Sequence, residues 1–190
     1  MNRQLLRSAS LVVALALDAR SSAQAVEYLR ANEAASQIAF TYTQMGVRVY
    51  GVFGKFDAQI AFDPANPAAS HTEFTIQVAS IDAGSSDANQ ELQKPEWFNT
   101  ASYPVARFES SSVTSLGDDR YEIAGKLTIK GQTRDLRTPV SFKPQGGIGV
   151  FYGELVVKRT DFNLGEGVWA DLGVIANDVH IKFRIVAPEQ

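Results

Sequence analysis

From residue 36 onward, apolar and polar residues alternate in short runs parted by turn signals, the period-two pattern of strands with one buried face. Ile38, Phe40 and Tyr42 share one face of the first run, and Met45-Gly46 reads as the turn that sends the chain back. The second run is long. Val47 and Val49 open it, Gly51 and Gly54 interrupt it, and Phe56, Ala58, Ile60 and Phe62 continue the alternation up to Asp63-Pro64. Glycines inside a strand mark a bulge or bend, so this run is expected to curve around a barrel corner.

Phe74, Ile76 and Val78 define a third strand, followed by the one good helical stretch, roughly residues 87–98, which Pro95 must break or restart. A fourth strand spans about residues 105–112. The fifth sets Tyr121, Ile123, Leu127 and Ile129 against Glu122, Lys126 and Lys130, and Lys130-Gly131-Gln132 forms a tight turn. The sixth sets Leu136, Thr138, Val140 and Phe142 against Asp135, Arg137, Ser141 and Lys143, with Pro139 on the outward set. After a glycine-rich turn at 146–149, Phe151, Leu155 and Val157 mark the seventh strand, and Val179, Ile181, Phe183 and Ile185 the eighth. The predicted fold class is therefore all-β: an antiparallel eight-stranded sheet, closed into a barrel, with one short helical segment between strands 3 and 4. A barrel of eight strands has room inside for side chains or for one small ligand, and closure removes exposed sheet edges.

The first 25 residues break the pattern. Arg3 and Arg7 precede a seven-residue apolar stretch, Leu11 to Leu17, and Ala23-Gln24-Ala25 offers a small-residue cleavage site, the layout of a secretory signal. Seven apolar residues ended by Asp18 are too few to span a bilayer. We therefore expect a signal peptide over 1–25, one domain over 26–190, and a periplasmic address. Loss of the signal removes three arginines and one aspartate and moves the formal charge from −3 to −5.

Composition narrows the chemistry. With no cysteine, disulfides, thiolate metal sites and a cysteine nucleophile are excluded together. The acidic balance, with no basic run interleaved with aromatics, argues against a nucleic-acid partner. The two histidines, His71 after Pro67 and His180 on the polar side of the last strand, have no partner at zinc spacing and read as surface residues, so no metal is expected. Asp87 and Glu91, four apart on the helical stretch, have the spacing of an acid–base pair, but like charges so placed repel and stay solvated, and nothing nearby would separate their pKa values. No nucleophile elbow or phosphate loop is present; Gly165-Glu166-Gly167 reads as an ordinary loop. No catalytic residue and no cofactor is expected. Trp97-Phe98, Tyr103-Pro104 and Trp169 are placed to cap one mouth of the barrel, or else to plug it as plain core.

The chain from Ser36 to Ala187 resembles the YceI-like family. The resemblance rests on Gly51-Val52-Phe53-Gly54-Lys55-Phe56, Ile60-Ala61-Phe62-Asp63-Pro64, Ser80-Ile81-Asp82-Ala83-Gly84, Trp97-Phe98-Asn99, the segment Tyr103 to Ser110, and Gly125 to Gly131. Arg159-Thr160-Asp161-Phe162-Asn163 is similar to the family's Arg-x-Asp-Phe-Gly, with asparagine in place of glycine. Ser86-Asp87-Ala88-Asn89-Gln90-Glu91-Leu92 stands where many members carry Arg-Asp-x-His-Leu, which weakens any transfer of head-group contacts.

The resemblance implies a lipocalin-like barrel, an extracytoplasmic setting, and a polyisoprenoid, quinone or fatty-chain ligand; it is compatible with a homodimer. The expected apolar pocket comprises Phe40, Tyr42, Phe53, Ile76 and Val78 from the first three strands. Trp97, Phe98, Phe108, Ile123, Leu127 and Ile129 follow, then Phe142, Leu155, Val157, Phe162 and Trp169. Arg159, Asp161 and Asn177 are the head-group candidates. Two competing readings are an enzyme acting on an apolar substrate, which needs a titratable pair facing the cavity, and a solid barrel serving interaction or stress, which needs a filled interior.

Overall fold

The computed structural model describes residues 27–190, so the predicted signal segment lies outside the described residues. Eleven antiparallel strands are present: β1 (Tyr28–Arg30), β2 (Gln37–Gln44), β3 (Val47–Phe53), β4 (Phe56–Phe62), β5 (His71–Gln77), β6 (Ile81–Asp82), β7 (Val105–Gly117), β8 (Arg120–Ile129), β9 (Gln132–Gln145), β10 (Ile148–Lys158) and β11 (Asp178–Pro188). Their order in the sheet is β1-β4-β5-β7-β8-β9-β10-β11-β2-β3-β6. The eight predicted strands are all there. The predicted second run is divided into β3 and β4, and the short β1 and β6 are additional.

That division brings the two flanks of the curled sheet together. β3 pairs with β2 and β4 pairs with β5, so the two flanks of the sheet are halves of one run bent at Gly54-Lys55. At the bend the Gly54 N–H donates to the Ser80 carbonyl at 3.0 Å and the Lys55 N–H to Ser80 Oγ at 2.9 Å. β1 adds a second tie, pairing Tyr28 with Phe62 on β4 and bridging to Glu189 just past β11.

Four hairpins turn on two residues with φ > 0: Met45-Gly46, Asp118-Asp119, Lys130-Gly131 and Gly146-Gly147. Positive φ at both positions matches the right-handed twist of the flanking strands, which fixes the register of β2–β3 and of β7 through β10. His71 begins β5 instead of lying in the preceding turn, with Nδ1 3.3 Å from Ser110 Oγ. Val78 leaves the predicted third strand and starts a 3₁₀ turn to Ser80.

The helical stretch is short: α1 covers Ser86–Glu91, capped by Ser85, whose side chain accepts the Ala88 N–H. It ends before Pro95, which has no N–H to continue the ladder. Turns carry the chain onward, and the N–H groups of Trp97 and Asn99 both donate to the Lys94 carbonyl.

The core falls into two adjoining groups. At one end Tyr28, Phe62, Tyr121, Phe142 and Phe151 pack mostly edge-to-face or tilted, with centroids 5.0 Å apart for Phe62–Phe142 and 5.3 Å for Tyr28–Phe142. The other end is overlaid by α1 and the segments holding Trp97 and Trp169.

Candidate functional site

Between those ends, inward apolar side chains that a solid core would bury completely are only half-buried. Phe53, Ile76, Phe108, Ile123, Leu155 and Ile181 all retain surface, and they face the inside of the sheet. The space they border has two lobes. The wider, about 460 Å³, lies between the strands and the α1 side of the molecule, walled by Phe40, Tyr42, Val78, Phe98, Ile129 and Val157 with Trp97, Arg159 and Trp169 above. The narrower, about 130 Å³, lies toward the aromatic end and is walled by Phe74, Phe108, Ile123, Leu136, Leu155 and Phe183 among others. Ile38, Ile76, Leu127 and Ile181 wall both, so the lobes adjoin along one axis of the lumen. An interior of this kind differs from the close-packed state of ordinary cores.

The free room has a local cause. Phe183 on β11 sits opposite Gly153 on β10, and a Cβ at Gly153 would lie 2.2 Å from Phe183 Cζ. The ring therefore lies down on bare backbone. Gly51 does the same for Phe40, where a Cβ would also lie 2.2 Å from the ring. Flattened rings line the wall without crossing the lumen.

Most of the expected pocket residues wall one lobe or both, but two do not. Phe142, 2% exposed, is held in the aromatic cluster at the far end, because Tyr28 from the unpredicted β1 fills that end from below. Phe162, also 2% exposed, packs beneath the lumen wall as part of the 3₁₀ turn Arg159–Phe162.

The head-group candidates are corrected more deeply. Arg159 is 1% exposed, and each guanidinium N–H already has a carbonyl acceptor. Nη1 donates to Leu164 O and Gly165 O at 2.7 and 3.0 Å, Nη2 to Trp169 O and Ile175 O at 2.9 and 3.0 Å, and Nε is shared by Ile175 O and Ala176 O at 3.3 Å. Five donors are spent on folding the 164–176 segment over the lumen, which leaves none for a ligand. Its guanidinium carbon lies 5.7 Å from the Trp97 ring centroid, and burial lowers its pKa from the ordinary value without removing the charge. Asp161 is exposed and walls neither lobe. Asn177 is used locally, its side-chain oxygen accepting from Thr160 N–H at 3.1 Å and Thr160 Oγ at 2.9 Å.

Asp87 and Glu91 form no acid–base pair. Glu91 is bound to Lys94 and accepts the Trp169 indole N–H at 2.9 Å, and these hydrogen bonds, Lys94 first, hold its carboxyl below the ordinary carboxylate range. The residues missed by sequence reasoning include Ala88 and Leu92 of the helical segment, whose i, i+4 spacing was the available signal, and Leu164 and Ile175, for which there was none. Lys130 reads in the sequence as an outward polar residue of the fifth strand and the start of a turn. Its side chain is 9% exposed, and its ammonium donates to Asn163 O at 2.7 Å and to Glu166 at 2.8 Å, fastening the β8–β9 turn to the same covering segment. Among the described residues there is no group of three or more His, Cys, Asp or Glu able to hold a metal, and no helix long and apolar enough to cross a membrane.

Comparison with known proteins agrees with this architecture. A family model described as a YceI-like domain matches residues 29–187. A UPF0312 protein of Azotobacter vinelandii is 30% identical over 190 residues, 96% of this chain and 97% of that one. The crystal structure of BcnA from Burkholderia cenocepacia superposes with a TM-score of 0.81 at 39% identity, covering 83% of this chain and 99% of BcnA. A polyisoprenoid-binding domain from Saccharophagus degradans shares the fold, with a TM-score of 0.69 at 17% identity over 86% of this chain and 99% of that one.

Proposed function

The chain belongs to the YceI-like family, and on that premise we propose that it is an extracytoplasmic binding protein that encloses a long-chain apolar molecule, of the polyisoprenoid, quinone or fatty-acyl kind, within its lumen. The observation that carries this reading is the unfilled interior: two adjoining lobes of about 460 and 130 Å³ walled almost throughout by apolar side chains. A ligand entering that space exchanges water contact for dispersion contact along its whole length. Each buried methylene contributes about 0.8 kcal/mol, so a tail of roughly ten buried carbons offsets a substantial association cost.

Binding of this kind needs no reacting group, and the one carboxylate beside the lumen with a distinctive environment, Glu91, is occupied by Lys94 and Trp169. The fold shared with a polyisoprenoid-binding domain supports the ligand class. Export is supported by the basic start, the short apolar run and Ala23-Gln24-Ala25.

The direct test is mass spectrometry of an organic extract of the protein purified without detergent. Recovery of a stoichiometric apolar molecule is expected. A reproducibly empty protein that also fails to take up an apolar fluorescent probe refutes the reading. Export is tested by fractionating cells and measuring the intact mass, with a processed N-terminus near residue 26 as the expected result.

A further inference from the structure

The narrow lobe ends on rings. Phe62, Tyr121 and Phe151, from β4, β8 and β10, all wall it, and Phe62 meets each of the other two edge-to-face at 5.1 Å between centroids. Tyr28 and Phe142 form a second layer behind them and wall neither lobe. That layer is seated on backbone: a Cβ at Gly149 would lie 2.7 Å from the Phe142 ring and 2.8 Å from the Tyr28 ring. β1, which carries Tyr28, is paired with β4 on one side and bridged to Glu189 on the other. The second layer is thus pinned from behind and from both sides. Surroundings so held relax only partially when a side chain is cut back, so a ring removed from the first layer leaves its space to the lumen.

We propose that Phe62, Tyr121 and Phe151 are the length-determining residues of the site: the depth at which their rings stand fixes how many isoprene units, or the equivalent run of methylenes, a bound tail can bury. The inference rests on the proposed binding of an apolar molecule in the lumen and adds what selects among such molecules.

Two observations favour an end stop over a passage. Exposure falls from 5–6% in the first layer to 1–2% for Tyr28 and Phe142, so the open space does not continue through the rings. Beside them the lobe meets Ser70 and His71, where the β5–β7 ladder has ended at Glu73–Glu109. That gap is stitched by Thr72, whose N–H donates to Ser110 Oγ at 2.8 Å, and both residues are buried.

A stop of this kind acts on length alone. Each unit added to a tail that has not reached the rings exchanges water for apolar wall, whereas each unit added beyond that point stays outside the mouth and gains nothing. A phenyl ring and an isoprene unit are of similar size, so deleting one ring makes room for about one further unit.

The test measures the affinities of prenols of two to about eight isoprene units, by displacement of an apolar fluorescent probe, on the unaltered protein and on Phe151→Ala. Affinity is expected to rise about tenfold or more per unit and then to level off at a definite length. In Phe151→Ala the levelling-off should move one unit further, while prenols too short to reach the rings keep their affinities. A second measurement uses the unaltered protein alone. A prenol of the levelling-off length, bearing a diazirine at its tail end, should on irradiation label the peptides that carry Phe62, Tyr121 or Phe151.

A levelling-off that stays in place in a folded Phe151→Ala protein overturns the inference and leaves the apolar-lumen reading standing. So does affinity still climbing at the longest prenol, or labelling confined to the mouth or to Ser70 and His71. Failure of every prenol to bind a cooperatively folded protein overturns the lumen reading and this inference with it. Should Phe151→Ala fail to fold, the labelling of the unaltered protein decides.

Discussion

The Trp169 indole N–H donates to Glu91 Oε1 at 2.9 Å, joining residues 78 positions apart and fastening the 164–176 segment to α1 across the wide end of the lumen. Lys94 and then Trp169 hold the Glu91 carboxyl below the ordinary carboxylate range. A group whose folded pKa is depressed contributes its stabilisation fully above the unfolded value and loses it as pH falls through the folded one. The fastening is therefore intact at neutral pH and released in acid. Trp169 emission should change as pH falls below the ordinary carboxylate range, and Glu91→Gln, which keeps an acceptor but cannot titrate, should flatten that profile. A wild-type profile already flat down to global unfolding would refute the coupling.

Leu127 stands where the lobes meet, walling both. Leu127→Trp should obstruct the passage at a packing cost of about 1–3 kcal/mol. Long-tailed ligands should weaken by tenfold or more, roughly the loss of two methylenes or more. Tails short enough to stay in the wide lobe should change little. Equal loss for long and short tails would show that the lobes are not occupied in series.

The Phe183 ring lies on Gly153, where no Cβ fits without displacing it. Gly153→Ala should push the ring into the lumen, lowering stability by about 1–3 kcal/mol and weakening ligand uptake together. Phe183→Leu in the same chain should recover much of both, because the smaller side chain clears the new methyl group. Thermal unfolding and probe binding on the two single variants and the double variant give the coupling directly. Strict additivity would refute it.

Arg159→Lys removes two donors from an arrangement that uses five. Carbonyls of Leu164, Gly165, Trp169, Ile175 and Ala176 then compete for three ammonium protons. Stability should fall by about 2–3 kcal/mol, or roughly 5–10 °C in Tm for a domain of this size. Hydrogen exchange should rise first in the 164–176 segment. An unchanged Tm would mean that the carbonyls find other partners.

The strands were legible because one face of each looks inward: alternation marks them whether that face meets packed core or open space. The same fact explains why alternation could not separate Phe142, locked among aromatic rings, from Leu155, which borders the lumen, since both read as inward. The difference is made by Tyr28, carried on a three-residue strand too short to show a period. Arg159 was recognisable as notable but not for its task, because its acceptors are backbone carbonyls that any side chains would supply. Glu91 and Trp169 were each noticed separately, and only the folded chain shows that they meet.

The guanidinium of Arg159 is neutralised by peptide dipoles and not by a carboxylate. An acid cannot unseat it by protonating a counter-ion, and brine has no exposed ion pair there to screen. Its hold on the 164–176 segment therefore tolerates wide swings in acidity and salinity, while the Glu91 fastening responds to acid and the Lys130–Glu166 pair to salt. One tie of the covering segment is a fixed jamb and the others are latches, which conditions outside the protein loosen or leave fastened.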